Sequence, residues 1–152
     1  MIERITVISR DRERLEDVTR TVNEAVRRSG VSDGLCYLFV PHTTAGLLIS
    51  ENDDPDVSRD LLERLEALVP REGRYRHAEG NAHAHIKASL VGQSLTLPVL
   101  DGRLALGRWQ GVFLAEFDGP RDRALIVAVV PAAREATAPG GIPEEFRREF
   151  GQ

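Results

Sequence analysis

Three of the four histidines in the chain fall in one short stretch, YRHAEGNAHAHIKASLVG, from Tyr75 to Gly92. His77, His83 and His85 stand there beside Glu79, Asn81 and Lys87, side chains suited to metal coordination or proton transfer near neutral pH. Local geometry decides which of them can act together. On a strand His83 and His85 would share a face and chelate; on a helix two residues turn through about 200° and the rings part. Residues 81–92 read as a helix, with Asn81 as cap, alanines in the body and Gly92 as terminator. No His-x-His chelate is then expected. His83 shares a face with Lys87 and is expected to look into solvent. His85 shares a face with Ser89 and is free to meet His42 or His77 across the fold.

The remaining histidine opens a second group, PHTTAGLLISENDDP, in which His42 ends one strand and Glu51, Asn52, Asp53 and Asp54 end the next. Strand ends are where a rigid scaffold presents polar groups. Asp54 reads more simply as a helix cap, whereas for His42 and Asn52 a loop-satisfying role and a functional role stand open together. A third group is GRWQG, where Trp109 lies between Gly107 and Gly111, so that a ligand can approach the backbone closely, and Gln110 can read an amide or ring nitrogen. A core anchor beside a bulge explains the same Trp equally well. Lys87, Arg103, Arg121 and the GQS of 92–94 are candidates for phosphate, although no P-loop or dinucleotide fingerprint is present. Nor is there a G-x-S-x-G, H-E-x-x-H or C-x-x-C motif.

These residues need elements to carry them. Ile5 and Val7 alternate with polar neighbours over 3–9, a half-buried strand. Leu15, Val18, Val22, Ala25 and Val26 follow helical spacing over 11–30 and end at Gly30. GLCYLFVP and AGLLIS are short strands. A second helix is capped by Asp54, begins at Pro55, carries Val57, Leu61, Leu65 and Leu68 as one stripe, and stops at Pro70. SLTLPVL and LALG flank a hairpin signal at Asp101-Gly102, and GVFLAEF and RALIVAVV flank a turn at DGPRD. Residues 131–152 read as an appendage ending in a short helix, PEEFRREF. Antiparallel strands in runs, with helices segregated and no crossover helices in the second half, predict an α+β domain rather than a doubly wound one.

Composition narrows the function classes. A chain of 152 residues fits one domain, and a net charge of −4 with interleaved signs gives no footprint for nucleic acid or an anionic membrane. The single cysteine, Cys36, sits in an apolar strand and reads as a small buried hydrophobe rather than a nucleophile. The N-terminal residues lack an apolar signal core, so a cytoplasmic location is expected.

Taken in order, HTTAGLLISENDDPDVSRDLLERLEALVP, Y-x-H-x-E-G-N running into AHIKASLVGQSLTLPV, and GRLALGRWQGVFLAEFDGPR resemble the YjbQ-like family, also labelled secondary thiamine-phosphate synthase. The resemblance covers Ile5 to Val130, which gives a YjbQ-like domain over 1–130 and leaves 131–152 outside it. It implies a compact α+β protomer with β-sandwich-like antiparallel sheets, two main helices and a short central one. It further implies assembly as a homotrimer and a weak thiamine-phosphate synthase activity on small phosphorylated molecules. The family pattern carries onto His42, Thr43, Glu51, Asn52, Asp54, Pro55, Asp60, His77, Glu79, His85, Lys87, Ser89, Gly92, Ser94 and Trp109-Gln110-Gly111, and omits His83. Of these, His42, His85, Glu51 and Asn52 are the candidate catalytic residues, and Thr43, Lys87, Ser89, Trp109 and Gln110 the candidate substrate contacts. Diphosphate release calls for Mg²⁺ or Lys/Arg, while three imidazoles, His42, His77 and His85, suit Zn²⁺ with an open position. A divalent metal, a bare anion site, and metal-assisted phosphate-ester hydrolysis are the alternatives this donor set leaves.

Overall fold

The computed structural model describes residues 1–133 together with Glu144, Glu145 and Arg148. Two antiparallel sheets and three helices make an α+β fold. The larger sheet runs in the order β1 (Ile2–Ile8), β8 (Asp122–Pro131), β3 (Gly34–Phe39), β5 (Ser94–Leu100), β6 (Arg103–Leu104). The smaller runs β2 (Arg14–Asp17), β7 (Gln110–Glu116), β4 (Ala45–Glu51). The helices are α1 (Thr19–Ser29), α2 (Pro55–Leu68) and α3 (Ala82–Val91). None of the helices is long and apolar enough to cross a membrane among the described residues.

Alternation in the strands sets the layers. Cys36 and Leu38 of β3 and Leu125, Val127 and Val129 of β8 point inward and meet Leu47 of β4 and Val112 and Leu114 of β7, with Val22, Ala25 and Val26 of α1 packed into the same core. The other face of the smaller sheet carries Leu15, Phe113 and Ala115. With Phe117 just beyond β7, they pack on Ala84 and Ala88 of α3 and on Leu61, Leu62 and Leu65 of α2. β7 is thus covered on both faces, which is why GVFLAEF reads as an unbroken apolar run. Burial pushes the Cys36 thiol up to about 11, as befits an inert core residue.

Several sequence expectations hold at the level of geometry. Asp101 and Gly102 adopt φ of 50° and 72° between β5 and β6, the conformation a two-residue hairpin requires. Asp54 accepts from the Asp56 N–H at 2.9 Å and caps α2. Residues 82–91 are helical, and Gly30 closes α1 at φ 70°. Two expectations are corrected. The helix expected over 11–30 starts only at Thr19, because Arg14–Asp17 pair with Phe113–Glu116 as β2. LALG contributes only Leu104 to β6. DGPRD is the expected turn between two strands, and it carries the chain from β7 in one sheet to β8 in the other. The terminal helix PEEFRREF falls largely outside the described residues.

Candidate functional site

The chain between β3 and β4 is held from three sides. β3 stops pairing with β8 at Phe39, opposite Ile126, so the Ala124 N–H further along β8 has no strand partner there. His42 fills that place: its Nε2 accepts from Ala124 N–H at 2.8 Å. Thr44 follows, its Oγ1 accepting from Arg123 Nη2 at 2.8 Å and its carbonyl from Phe117 N–H at 3.1 Å. Arg123 itself forms a bidentate pair with Glu116, at 2.7 and 2.5 Å, and Glu116 also accepts from Ser9 Oγ and the Asp118 N–H. Burial works against the Glu116 charge, yet these donors hold its carboxyl below the usual range. Burial, followed by the Arg123 and Arg4 charges, holds the His42 imidazolium below its ordinary pKa.

α3 is stitched to this loop at its C-terminal end. The Val40 N–H donates to Gln93 O at 2.8 Å and the Leu47 N–H to Gly92 O at 2.9 Å. The approach is so close that a Cβ on Gly46 would lie 2.6 Å from the Gly92 carbonyl oxygen. One cavity of about 590 Å³ results, lined by Phe39, Val40, Pro41, His42, Thr43, His85, Ser89 and Gln93. His85 and Ser89 are one helical turn apart on α3, and Ser89 Oγ donates to the His85 carbonyl at 2.8 Å. His77 joins from the loop before α3, its ring edge-on to His85 with centroids 5.2 Å apart, and its Nε2 3.7 Å from Glu79.

Of the expected site residues, His42, Thr43, His85, Ser89 and the ring of His77 therefore gather in one region. Glu51, Asn52, Trp109 and Gln110 lie at the far end of β4, which carries them about 20 Å from His42 along its seven residues. There Glu51 accepts from the Asp53 and Asp54 N–H groups, and Asn52 donates to Asp17 at 2.9 Å. Gln110 accepts from the Gly107 N–H. Trp109 is half exposed with Arg108 over its ring at 4.8 Å, so it is no core anchor. Among the described residues no three His, Cys, Asp or Glu side chains gather as a metal site.

Two lateral residues behave against expectation. Lys87 is fully buried, its ammonium held by Glu13 at 2.8 and 2.9 Å and by Glu66 at 2.5 Å, and it does not line the cavity. His83, expected in solvent, is buried to 2% exposure. Residues 82–91 are helical as expected, but α3 buries both the Ala84–Ala88 row and the His83–Lys87 row, which takes His83 out of solvent. Among the described residues neither ring nitrogen of His83 has a hydrogen-bond partner, and Glu13 Oε1 stands 3.9 Å from Nε2. Burial, then the Lys87 charge, holds His83 below its ordinary pKa.

Sequence reasoning missed the Arg123–Glu116 pair and the Glu13 and Glu66 partners of Lys87. A signal for the first existed: Arg123 shares the inward parity of Leu125, Val127 and Val129, and Glu116 that of Val112 and Leu114. A charge at such a position demands a buried partner.

Comparison with known proteins agrees with this architecture. A UPF0047 protein of Methanocaldococcus jannaschii is 45% identical over 130 residues, covering 86% of this chain and 94% of its own. YugU of Bacillus subtilis, also a UPF0047 protein, is 41% identical over 131 residues, with 86% and 99% covered. The crystal structure of an uncharacterised YjbQ/UPF0047 protein from Clostridium acetobutylicum superposes with a TM-score of 0.83 at 48% identity, covering 84% of this chain and 99% of its own. A conserved hypothetical protein from Thermus thermophilus gives 0.79 at 50%, with 84% and 99% covered. The model of the family described as UPF0047 protein YjbQ-like matches residues 3–132, and the chain belongs to that family.

Proposed function

We propose that this protein binds a small phosphate-bearing molecule in the cavity between His42 and His85, and that the thiamine-phosphate-synthase-type transfer implied by the family resemblance is the reaction carried there. The observation that supports the reading is the convergence of His42, Thr43, His85 and Ser89, from two distant segments, on one cavity. In such a transfer a thiazole nitrogen bonds the pyrimidine methylene carbon as the bond from that carbon to diphosphate breaks, the electron pair leaving on diphosphate. The protein's task is to align two rings and stabilise the departing charge. His42, Thr43 and His85 are the donors for phosphoryl oxygens, and Ser89 and Phe39 border the ring.

A second reading, that the site holds a divalent metal, is favoured by the His77–His85 ring contact. Three histidines of one protomer do not fit it as found, because His42 Nε2 is engaged by the sheet. A metal here would be held by His77 and His85, and would need further ligands from the bound molecule or a neighbouring subunit. The homotrimer is part of the proposal and is supported by the outward face of the larger sheet. Ile2, Leu35, Tyr37, Phe39 and Val130 are exposed there, and Phe39 also borders the cavity.

The test is formation of thiamine phosphate by the parent, His42→Ala and His85→Ala. Loss of at least about tenfold in both variants is expected. Equal rates in all three would remove the reaction from this cavity. Elemental analysis of untagged protein, before and after His77→Ala and His85→Ala, tests the metal reading: zinc or another divalent metal is expected in the parent and reduced in both variants.

A further inference from the structure

Resting on the cavity reading above, we infer that His42 serves the cavity as a fixed neutral Nδ1–H donor to a ligand oxyanion, and that it is neither a metal ligand nor a general base. A neutral imidazole has one N–H and one lone pair, and the Ala124 N–H takes the lone pair at Nε2, 2.8 Å away. The proton must then sit on Nδ1, and Nδ1 is the only polar ring atom left for a ligand. A metal needs a nitrogen lone pair, which Nδ1 in this tautomer lacks. A base needs the same lone pair, which the sheet already uses.

The arrangement is built to stay that way. Giving up Nε2 would orphan the Ala124 N–H, on a residue only 3% exposed, where β3 no longer supplies a carbonyl. Protonating the ring would set an N–H against an N–H. The buried Arg123, bonded to Thr44 two residues along, and Arg4 add positive charge against that second proton, with Glu116 opposing them. Thr43, exposed beside His42 on the cavity wall, supplies a hydroxyl donor. The ligand chemistry that matches fixed neutral donors is an oxyanion, of which a phosphoryl group is the class proposed.

The test starts with imidazole nitrogen and carbon-bound proton correlations of the isotope-labelled protein at pH 7.5. His42 is expected as the Nδ1–H tautomer in the free protein and to remain so when Zn²⁺ is added. Inorganic phosphate is expected to shift His42 Nδ1 saturably. A protonated Nε2, a doubly protonated ring, or loss of the Nδ1 proton to Zn²⁺ would overturn the assignment. A correct tautomer with no response of His42 or His85 to phosphate, or with an adventitious weak response that does not saturate, would overturn it together with the cavity reading. Two variants separate ligand binding from sheet support. His42→Gln puts an acceptor near Nε2 and no donor near Nδ1, so it is expected to fold like the parent and bind phosphate at least about tenfold more weakly. His42→Asn restores a donor near Nδ1 and loses the acceptor, so it is expected to melt lower and bind phosphate more tightly than His42→Gln. Parent-like phosphate binding by His42→Gln would reduce His42 to a sheet support and sink the inference.

Discussion

Arg123 and Glu116 form the residue-scale feature on which the candidate site rests. Their side chains are 5% and 0% exposed, and Arg123 also supports Thr44, two residues from His42. Removing one partner leaves the other charge buried and alone, so Arg123→Ala is expected to lose about 3–5 kcal/mol in urea unfolding. Thr43→Ala, at an exposed position, should stay within about 0.5 kcal/mol. The same scale fixes the pH dependence. His42 and His83 are held below their ordinary pKa, so between about pH 6.5 and their folded values the unfolded chain binds more protons and stability falls as pH falls. Asp17, Glu66, Glu116 and Asp118 are also held low, so a further loss is expected once pH drops below about 4.5. Urea midpoints across pH 8 to 3 measure both losses, and midpoints that stayed flat or rose on acidification from 7.5 to 5 would contradict the burial of the two rings. His83→Met should flatten the first loss while leaving phosphate binding intact, since its unpartnered nitrogens contribute no hydrogen bond. Residue identity made the histidines visible in the sequence; it did not tell which face of a doubly buried helix His83 would take, because that depends on α2 and the β1–β2 connection closing over it.

At the scale of elements, α3 carries the cavity wall, and its position depends on the contact between Gly46 and Gly92. Gly46→Ala forces a Cβ to within 2.6 Å of a backbone oxygen, so the end of α3 must shift. A loss of about 1–3 kcal/mol is expected, and His85 and Ser89 should move with the helix, weakening phosphate binding more than the stability loss alone explains. Calorimetric melting beside phosphate titration checks both parts. The existence and type of α2, α3 and the β5–β6 hairpin were legible from caps, stripes and the Asp-Gly pair. The start of α1 was not. Leu15 and Val18 fit a helical spacing as well as a strand that then turns, and only pairing with β7 decides for the strand. Strand pairing of this kind joins segments about a hundred residues apart, which no local pattern reports.

On the scale of the whole molecule, the resemblance named the family and the α+β sandwich correctly, yet the chain order of motifs said nothing about which of them meet. β4 keeps His42 and the Glu51–Asn52 group at opposite ends, although they look like neighbours in the sequence. The apolar outer face of β3 carries the prediction for assembly: Tyr37→Lys, exposed and central to that face, should lower the solution mass from that of the proposed trimer toward one chain, as light scattering would show. The proposed function depends on where a phosphate-bearing ligand binds. Calorimetric titration of inorganic diphosphate into the parent, His85→Ala and Trp109→Ala measures that directly. Saturable binding lost in His85→Ala and retained in Trp109→Ala is the predicted result; binding lost in Trp109→Ala and retained in His85→Ala would contradict it and move the site to the other end of β4.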